Sequence, residues 1–326
     1  MDMFVQTTFQ TTVVFVAALG APLLALLYFR NVRLERPALG VFNTRDILLI
    51  LAFILSLPFL YLVLPSHVLT GMLVLTFCSA LYIAGRPFLS PRLLWPLIAL
   101  LVGGDIIVTQ AFMGTGWGWQ LYWVFNNMIV LAAVVGVSNL YVQGGMRLSQ
   151  VAWLSLILAF YDAFFVLVIP VSPHLADRFH GQALDAALGW IMGPYSSNIG
   201  IGDLLIFALF LISACKGFGR KGVFASVAII AIFGALLPSL SSVIILPFVH
   251  AGNGFTIPVQ TFFGPAALLT YSLLRRSGKE RSIGHWWSAQ AAQGHEPIRV
   301  TRRVRQAVSP AALKSIVTLT TSESKV

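Results

Sequence analysis

The stretch LAFYDAFFVLVIP, residues 158–170, is apolar at every position except Tyr161 and Asp162, and it reads as part of a membrane-spanning helix with a carboxylate set into it. A charged side chain at the centre of such a helix costs about 2.5–3.5 kcal/mol even on insertion scales. An intramembrane aspartate therefore points to function and to a partner elsewhere in the chain.

The composition fits that setting. Of the 326 residues, 58% are hydrophobic and 10% charged, against roughly a quarter charged in soluble domains. A span needs about 20 mainly apolar residues. Nine are expected, at roughly 8–29, 47–65, 67–85, 93–113, 119–142, 149–171, 197–215, 223–248 and 257–274. The fold class is thus an all-α polytopic membrane protein with nine transmembrane helices. It divides into an N-terminal group of spans one to five (1–142), a group of spans six to nine (143–276) and a basic, flexible tail (277–326). The start, MDMFVQTTFQ, lacks the basic leader of a cleaved signal peptide, so the first span is read as retained.

The net charge of +10 is distributed by side. The basic residues follow alternate spans: Arg30, Arg33, Arg36 and Arg45 after the first, Arg86 and Arg92 after the third, Arg147 after the fifth, and Lys216, Arg220 and Lys221 after the seventh. With those beyond the ninth, 20 of the 21 Lys and Arg fall on one side, and Arg178 alone falls on the other. The positive-inside rule makes that side cytoplasmic, which places the N-terminus outside and the C-terminus in the cytoplasm. Two cysteines, Cys78 and Cys215, lie far apart within spans and form neither a disulfide framework nor a metal-ligand cluster. No metal or other cofactor is expected.

The second intramembrane aspartate is Asp203, in SNIGIGDLLIFALFLISACK. Asp162 lies about 13 residues, or roughly 20 Å, from the cytoplasmic end of the sixth span. Asp203 lies roughly 9 Å below the outer end of the seventh, which leaves roughly 21 Å of a 30 Å core beneath it. The two carboxylates come out level on consecutive antiparallel helices. Two such groups side by side do not both ionise readily, so the pair can hold a shared proton and perform general acid–base chemistry on water and a peptide carbonyl. The other readings of each aspartate are a bond to a neighbouring polar group in the bundle or a place along an ion path.

Three stretches together resemble the presenilin and signal peptide peptidase family of intramembrane aspartyl proteases. Tyr161-Asp162 is similar to its YD motif, Gly200-Ile201-Gly202-Asp203 to its GxGD motif, and Pro265-Ala266-Ala267-Leu268 to its PAL motif, with Ala267 interposed. Trp123 with Asn126 and Asn127, in WVFNNMIVLA, is similar to the fifth span of signal peptide peptidases. The resemblance implies nine spans, Asp162 and Asp203 as the catalytic pair, and Tyr161, Gly200, Gly202, Pro265, Ala266 and Leu268 as substrate-binding or supporting residues. The outward N-terminus sides with signal peptide peptidases, which implies substrates that cross with the N-terminus inside, such as type II segments and leftover signal peptides. The expected partners are transmembrane peptides and membrane lipids. Two other functions use the same residues: a proton-coupled transporter or ion pathway, and an enzyme like the type IV prepilin peptidases, whose GxGD site faces the cytosol.

The supporting residues carry physical roles of their own. Gly200 and Gly202 would let an extended substrate approach the backbone and pair as an added strand, or serve helix packing. Pro265 would break or loosen the ninth span, or merely kink it, as Pro238 would the eighth. Tyr161 hydrogen-bonds in the site or packs. Asp105, in LVGGDIIV, either wets a cavity or is a satisfied bundle residue. The loop after the sixth span, with His174, Asp177, His180 and Asp185, is expected to be a lid or a short amphipathic helix anchored by Trp190 and Tyr195. The tail, with IRVTRRVRQAV, is expected to touch anionic lipid, and nucleic acid is the weaker partner. The absence of an Asn-x-Ser/Thr sequon and of a retrieval signal favours a prokaryotic plasma membrane over an endomembrane.

Overall fold

The computed structural model describes residues 2–34, 44–165, 181–193, 195–245, 258–293 and 297–299. Its long helices are α1 (Asp2–Asn31), α2 (Thr44–Val63), α3 (Ser66–Gly85), α4 (Pro91–Ala111), α5 (Gly118–Gln143), α6 (Leu148–Ala163), α7 (Ile201–Phe218) and α10 (Val259–Ser277). Between α7 and α10 the chain runs through α8 (Arg220–Ile229), a π-helical stretch (Ile230–Leu236) and α9 (Leu237–Ile245). Among the described residues six helical segments are long and apolar enough to cross a membrane. Helices suit that solvent because every interior backbone N–H and C=O is paired within its own segment. The protein is a helical, multi-pass membrane protein.

Helix α7 explains the arrangement. Its sequence, IGDLLIFALFLISACKGF, offers almost no polar face, and a helix apolar all round belongs inside a bundle. Indeed 72% of its apolar window is buried, against 50% or less for the other candidate spans. Helices α1, α5, α6 and α8 pack around it. Gly219, at φ 64°, ends α7 and reverses the chain into α8. Gly222 then lets α8 lie against α7, since a Cβ there would sit 2.2 Å from the Ala214 carbonyl oxygen.

Lipid tails are as apolar as leucine, so helix pairs associate through close packing and polar side chains. Helices α6 and α10 meet at Gly264, where a Cβ would lie 2.5 Å from the Ser155 carbonyl oxygen and 2.7 Å from Ala159 Cβ. Helices α1 and α5 are joined by Asn139, whose Nδ2 donates to the Ala25 carbonyl at 3.0 Å, and by Gln143, which donates to Val32 O at 3.0 Å and accepts from the Leu34 N–H at 2.8 Å.

Two segments depart from the sequence expectation. The loop before α7 forms an antiparallel hairpin, β2 (Ala187–Met192) with β3 (Tyr195–Gly200), where a lid or amphipathic helix was expected. His174, Asp177 and His180 lie outside the described residues. The start of the tail, expected to be flexible, contains α11 (Ile283–Ala292), with Ile283 and Trp287 buried and Trp287 packed on Phe29 of α1 at 5.7 Å. Two-residue strands β1 (Val32–Arg33) and β4 (Ile298–Arg299) add a parallel bridge. Residues 300–326 lie outside the described residues.

The basic residues at the ends of α1, α7 and α10 and at the starts of α6 and α8 gather on one face of the bundle, around two grooves that share Arg281. There Tyr28 donates to the Ala84 carbonyl at 3.2 Å, Leu148 N–H to Glu280 Oε1 at 2.7 Å and Arg281 N–H to the Gly217 carbonyl at 3.2 Å. The buried Lys216 ammonium donates to the Met146 carbonyl.

The α6–α10 contact yields a prediction. Gly264→Val drives a branched side chain into the Ser155 backbone, an overpacking that costs about 1–3 kcal/mol. Thermal unfolding in detergent should show a lower midpoint than the wild type; an unchanged midpoint contradicts this packing.

Candidate active site

Asp162 is the penultimate residue of α6, and Asp203 lies in the first turn of α7, three residues after the N-cap Gly200. The sequence expectation put Asp203 about six residues inside a helix starting at 197, but residues 197–200 are strand and the helix starts at Ile201. Asp203 therefore sits at the start of its helix, whereas Asp162 lies just before the π-helical Phe164 and Phe165, where the described part of its segment ends. Asp203 also lies at the positive dipole end of α7, whose first N–H, that of Ile201, donates to the Ala186 carbonyl at 2.8 Å.

The two aspartates are partly buried and near enough for the charge of Asp203 to act on Asp162. Asp203 Oδ1 accepts a hydrogen bond from Gln260 Nε2 at 2.8 Å. Gln260 is only 2% exposed and its Oε1 has no hydrogen-bond partner. It is aimed by the aromatic contact one turn later in α10, where Phe263 lies 4.6 Å from Phe207 and 5.6 Å from Phe210 of α7. Gln260 was not among the residues singled out from sequence. The signal was a buried-type amide in PVQTFFGPAALL, one turn before the Pro-Ala stretch.

The structure separates the supporting residues. The positions where Gly200 and Gly202 would carry side chains are open: a Cβ at Gly202 meets nothing within 4 Å, and one at Gly200 meets only Asp203 Oδ2, at 3.7 Å. Neither glycine is used for packing. Ala266 and Ala267 are buried, and Leu268 packs on the core. Pro265 is exposed, and α10 runs through it unbroken from Val259 to Ser277, so it does not open the helix as expected. It sits in the helix's second turn, where its missing N–H costs one bond at most. Tyr161 stacks on Phe165 at 4.6 Å, a packing contact. Pro238 lies within α9, just past the π-helical stretch.

A polar cluster fixes the hairpin that feeds Asp203. Asn127 of α5 grips Gly189, donating to its carbonyl at 2.7 Å and accepting from its N–H at 3.0 Å. Asn126 donates to the Ala187 carbonyl at 2.7 Å. The paired asparagines thus hold β2 rather than reach the aspartates. Asp105 is fully buried and Oδ2 accepts from the Leu184 N–H at 2.7 Å, a bundle role. Leu184 has φ 62°, a strained left-handed conformation that this bond helps to hold. Tyr122 donates to Asp185 Oδ2 at 3.4 Å and to the Gln182 carbonyl at 3.3 Å.

Among the described residues no group of three or more His, Cys, Asp and Glu could hold a metal ion. No family model and no curated protein matches the chain.

Asp185 supplies a pH-dependent handle. Burial pushes its carboxyl up to about 7; donation from Tyr122 pulls it down and the nearby Asp105 charge pushes it up. The folded state then keeps a proton that the unfolded chain releases above about pH 4. The contribution of Asp185 to stability is therefore greatest below pH 4 and falls as pH rises through 7. Unfolding in detergent at pH 5 and pH 8 should show a larger loss for the wild type than for Asp185→Asn; equal losses contradict the assignment.

Proposed function

We propose that this chain is an intramembrane aspartyl protease that cuts peptide bonds within membrane-spanning segments, with Asp162 and Asp203 as the catalytic pair. The observation that carries the reading is two carboxylates on the neighbouring helices α6 and α7, close enough for the charge of Asp203 to act on Asp162, with open space over Gly200 and Gly202 beside Asp203. A helical substrate hides its carbonyls behind its own hydrogen bonds and must be unwound to be cut. The open backbone at Gly200 and the adjoining hairpin give an unwound strand somewhere to pair.

The chemistry needs one proton shared by the pair. The ionised carboxylate takes a proton from water as the water oxygen bonds to the scissile carbonyl carbon. The protonated carboxyl gives its proton to the carbonyl oxygen, which yields a gem-diol. Then the C–N bond breaks while a carboxyl protonates the leaving nitrogen and the other takes a proton from the gem-diol, which restores the singly protonated pair. The roles belong to the pair and not to either aspartate alone. Gln260, by donating to Asp203 Oδ1, orients that carboxylate and is a positioning residue.

In this reading the chain has nine spans, an external N-terminus and a cytoplasmic C-terminus. What supports it is a helix at each expected span position and the clustering of Arg30, Arg147, Lys216, Arg220 and Arg275 around two adjoining grooves that share Arg281. The substrates are N-in segments, and the host is a prokaryotic plasma membrane.

The test is cleavage of N-in membrane-spanning peptides by the purified chain, read by mass spectrometry. The wild type should cut within the apolar segment. Asp162→Asn and Asp203→Ala should each lose about 10³-fold or more. Gln260→Leu should lower kcat about ten- to a hundred-fold, the worth of one charge-assisted hydrogen bond. Identical products from wild type and both aspartate variants would sink the proposal. A peptidic gem-diol mimic should also inhibit, whereas a proton-coupled transporter built on the same pair has no reason to bind it.

A further inference from the structure

The face that gathers the cationic helix ends carries two grooves, and their charge balance differs. The first, about 950 Å³, is lined by Arg147, Lys216, Arg275 and Arg281 but also by Glu280. Its charges have internal uses: Glu280 accepts from the Leu148 N–H, and Lys216 donates to the Met146 carbonyl. The second, about 830 Å³, lies between α1, the α7–α8 turn and α11. Five cations line it, Arg30, Arg220, Lys221, Lys279 and Arg281, and no acidic residue does among the described residues.

Five like charges around one concavity repel one another, and an anion placed among them removes that cost. The groove also has an apolar wall of Leu26, Phe218, Val223 and Phe224, the last 75% exposed. Trp286 and Gln290 also line it, with Trp286 stacked on Phe29 of α1. Gln290 is only 9% exposed. A bare patch of surface cations attracts an anionic leaflet diffusely. Concavity, the lack of an acid among the described lining residues and an apolar wall together describe a site for one molecule.

We propose that this groove binds a single anionic glycerophospholipid, its phosphate among Arg30, Arg220, Lys221, Lys279 and Arg281 and an acyl chain along Leu26, Phe218 and Phe224. The lipid ties the far end of α7, the helix whose first turn carries Asp203, to α1 and α11. The inference is independent of the protease reading and needs only the multi-pass membrane setting.

Phosphatidylglycerol, phosphatidylcholine and soluble glycerol 3-phosphate are added separately to the detergent-solubilised full chain, followed by native mass spectrometry and thermal unfolding. Phosphatidylglycerol should be retained one to one and should raise the unfolding midpoint more than either other probe. The Arg220→Gln, Lys221→Gln double variant should bind it about thirty-fold more weakly, at about a tenfold factor per 1.4 kcal/mol and about one kcal/mol per cation. Arg30→Gln, on a different helix, should weaken it in the same direction. Arg92→Gln, which lies in neither groove, should leave binding unchanged. The proposal is overturned if phosphatidylcholine is retained as well, if Arg92→Gln weakens binding as much as the groove variants, or if glycerol 3-phosphate alone gives the full effect, which would make the groove a site for a free phosphate.

Discussion

A carboxylate surrounded by hydrocarbon has to be held by the protein, and the hydrogen bond from Gln260 to Asp203 is where this fold does so. It joins the first turn of α7 to the second position of α10. Its geometry depends on three other contacts. The Phe263 ring wedged against Phe207 and Phe210 sets the rotation of α10. Gly264, the next residue, allows α10 to close on α6 at Ser155 and Ala159. That closure brings Asp162, near the end of α6, towards Asp203. Loss of any one contact moves a carboxylate relative to its partner.

The opposite side of Asp203 is anchored through the hairpin. Asn126 and Asn127 of α5 hold the β2 backbone, β2 holds β3, and β3 ends at Gly200, three residues before the aspartate. Asp105 and Tyr122 hold the segment just before β2. The polar residues of α4 and α5 thus act at a distance on the start of α7. Each of these bonds satisfies a backbone group outside the helices.

Much of this was legible in the sequence, because hydrophobic runs of about 20 residues and their flanking arginines report helices in lipid directly. Asp162 and Asp203 stood out for the same reason: a charge is costly there. What hydropathy does not distinguish is apolar strand from apolar helix. Residues 197–200 therefore read as the start of a span, although Gly189, facing the Ser197 carbonyl where a Cβ would sit at 2.4 Å, belongs to a tight strand pair. The paired asparagines were visible, but their target, the β2 backbone, was not. Gln260 was passed over because a single amide in an apolar run carries little weight until a partner is known. Pro265 suggested a broken helix, yet α10 runs through it with the loss of one backbone bond. The helix Ile283–Ala292 was hidden by the basic composition around it, since its burial rests on a few residues, Ile283 and Trp287 above all.

The central claim is that Asp162 and Asp203 face each other across the α6–α7 boundary. Cysteines placed at both positions, in a chain whose Cys78 and Cys215 are replaced by serine, test it in native membranes with a short bifunctional maleimide. Phe207→Cys with Phe263→Cys serves as the reference pair. The account predicts intramolecular cross-linking of the aspartate positions as complete as that of the reference pair, read by mass spectrometry of the digested protein. Cross-linking of the reference pair alone would contradict a facing pair and, with it, the site built on it.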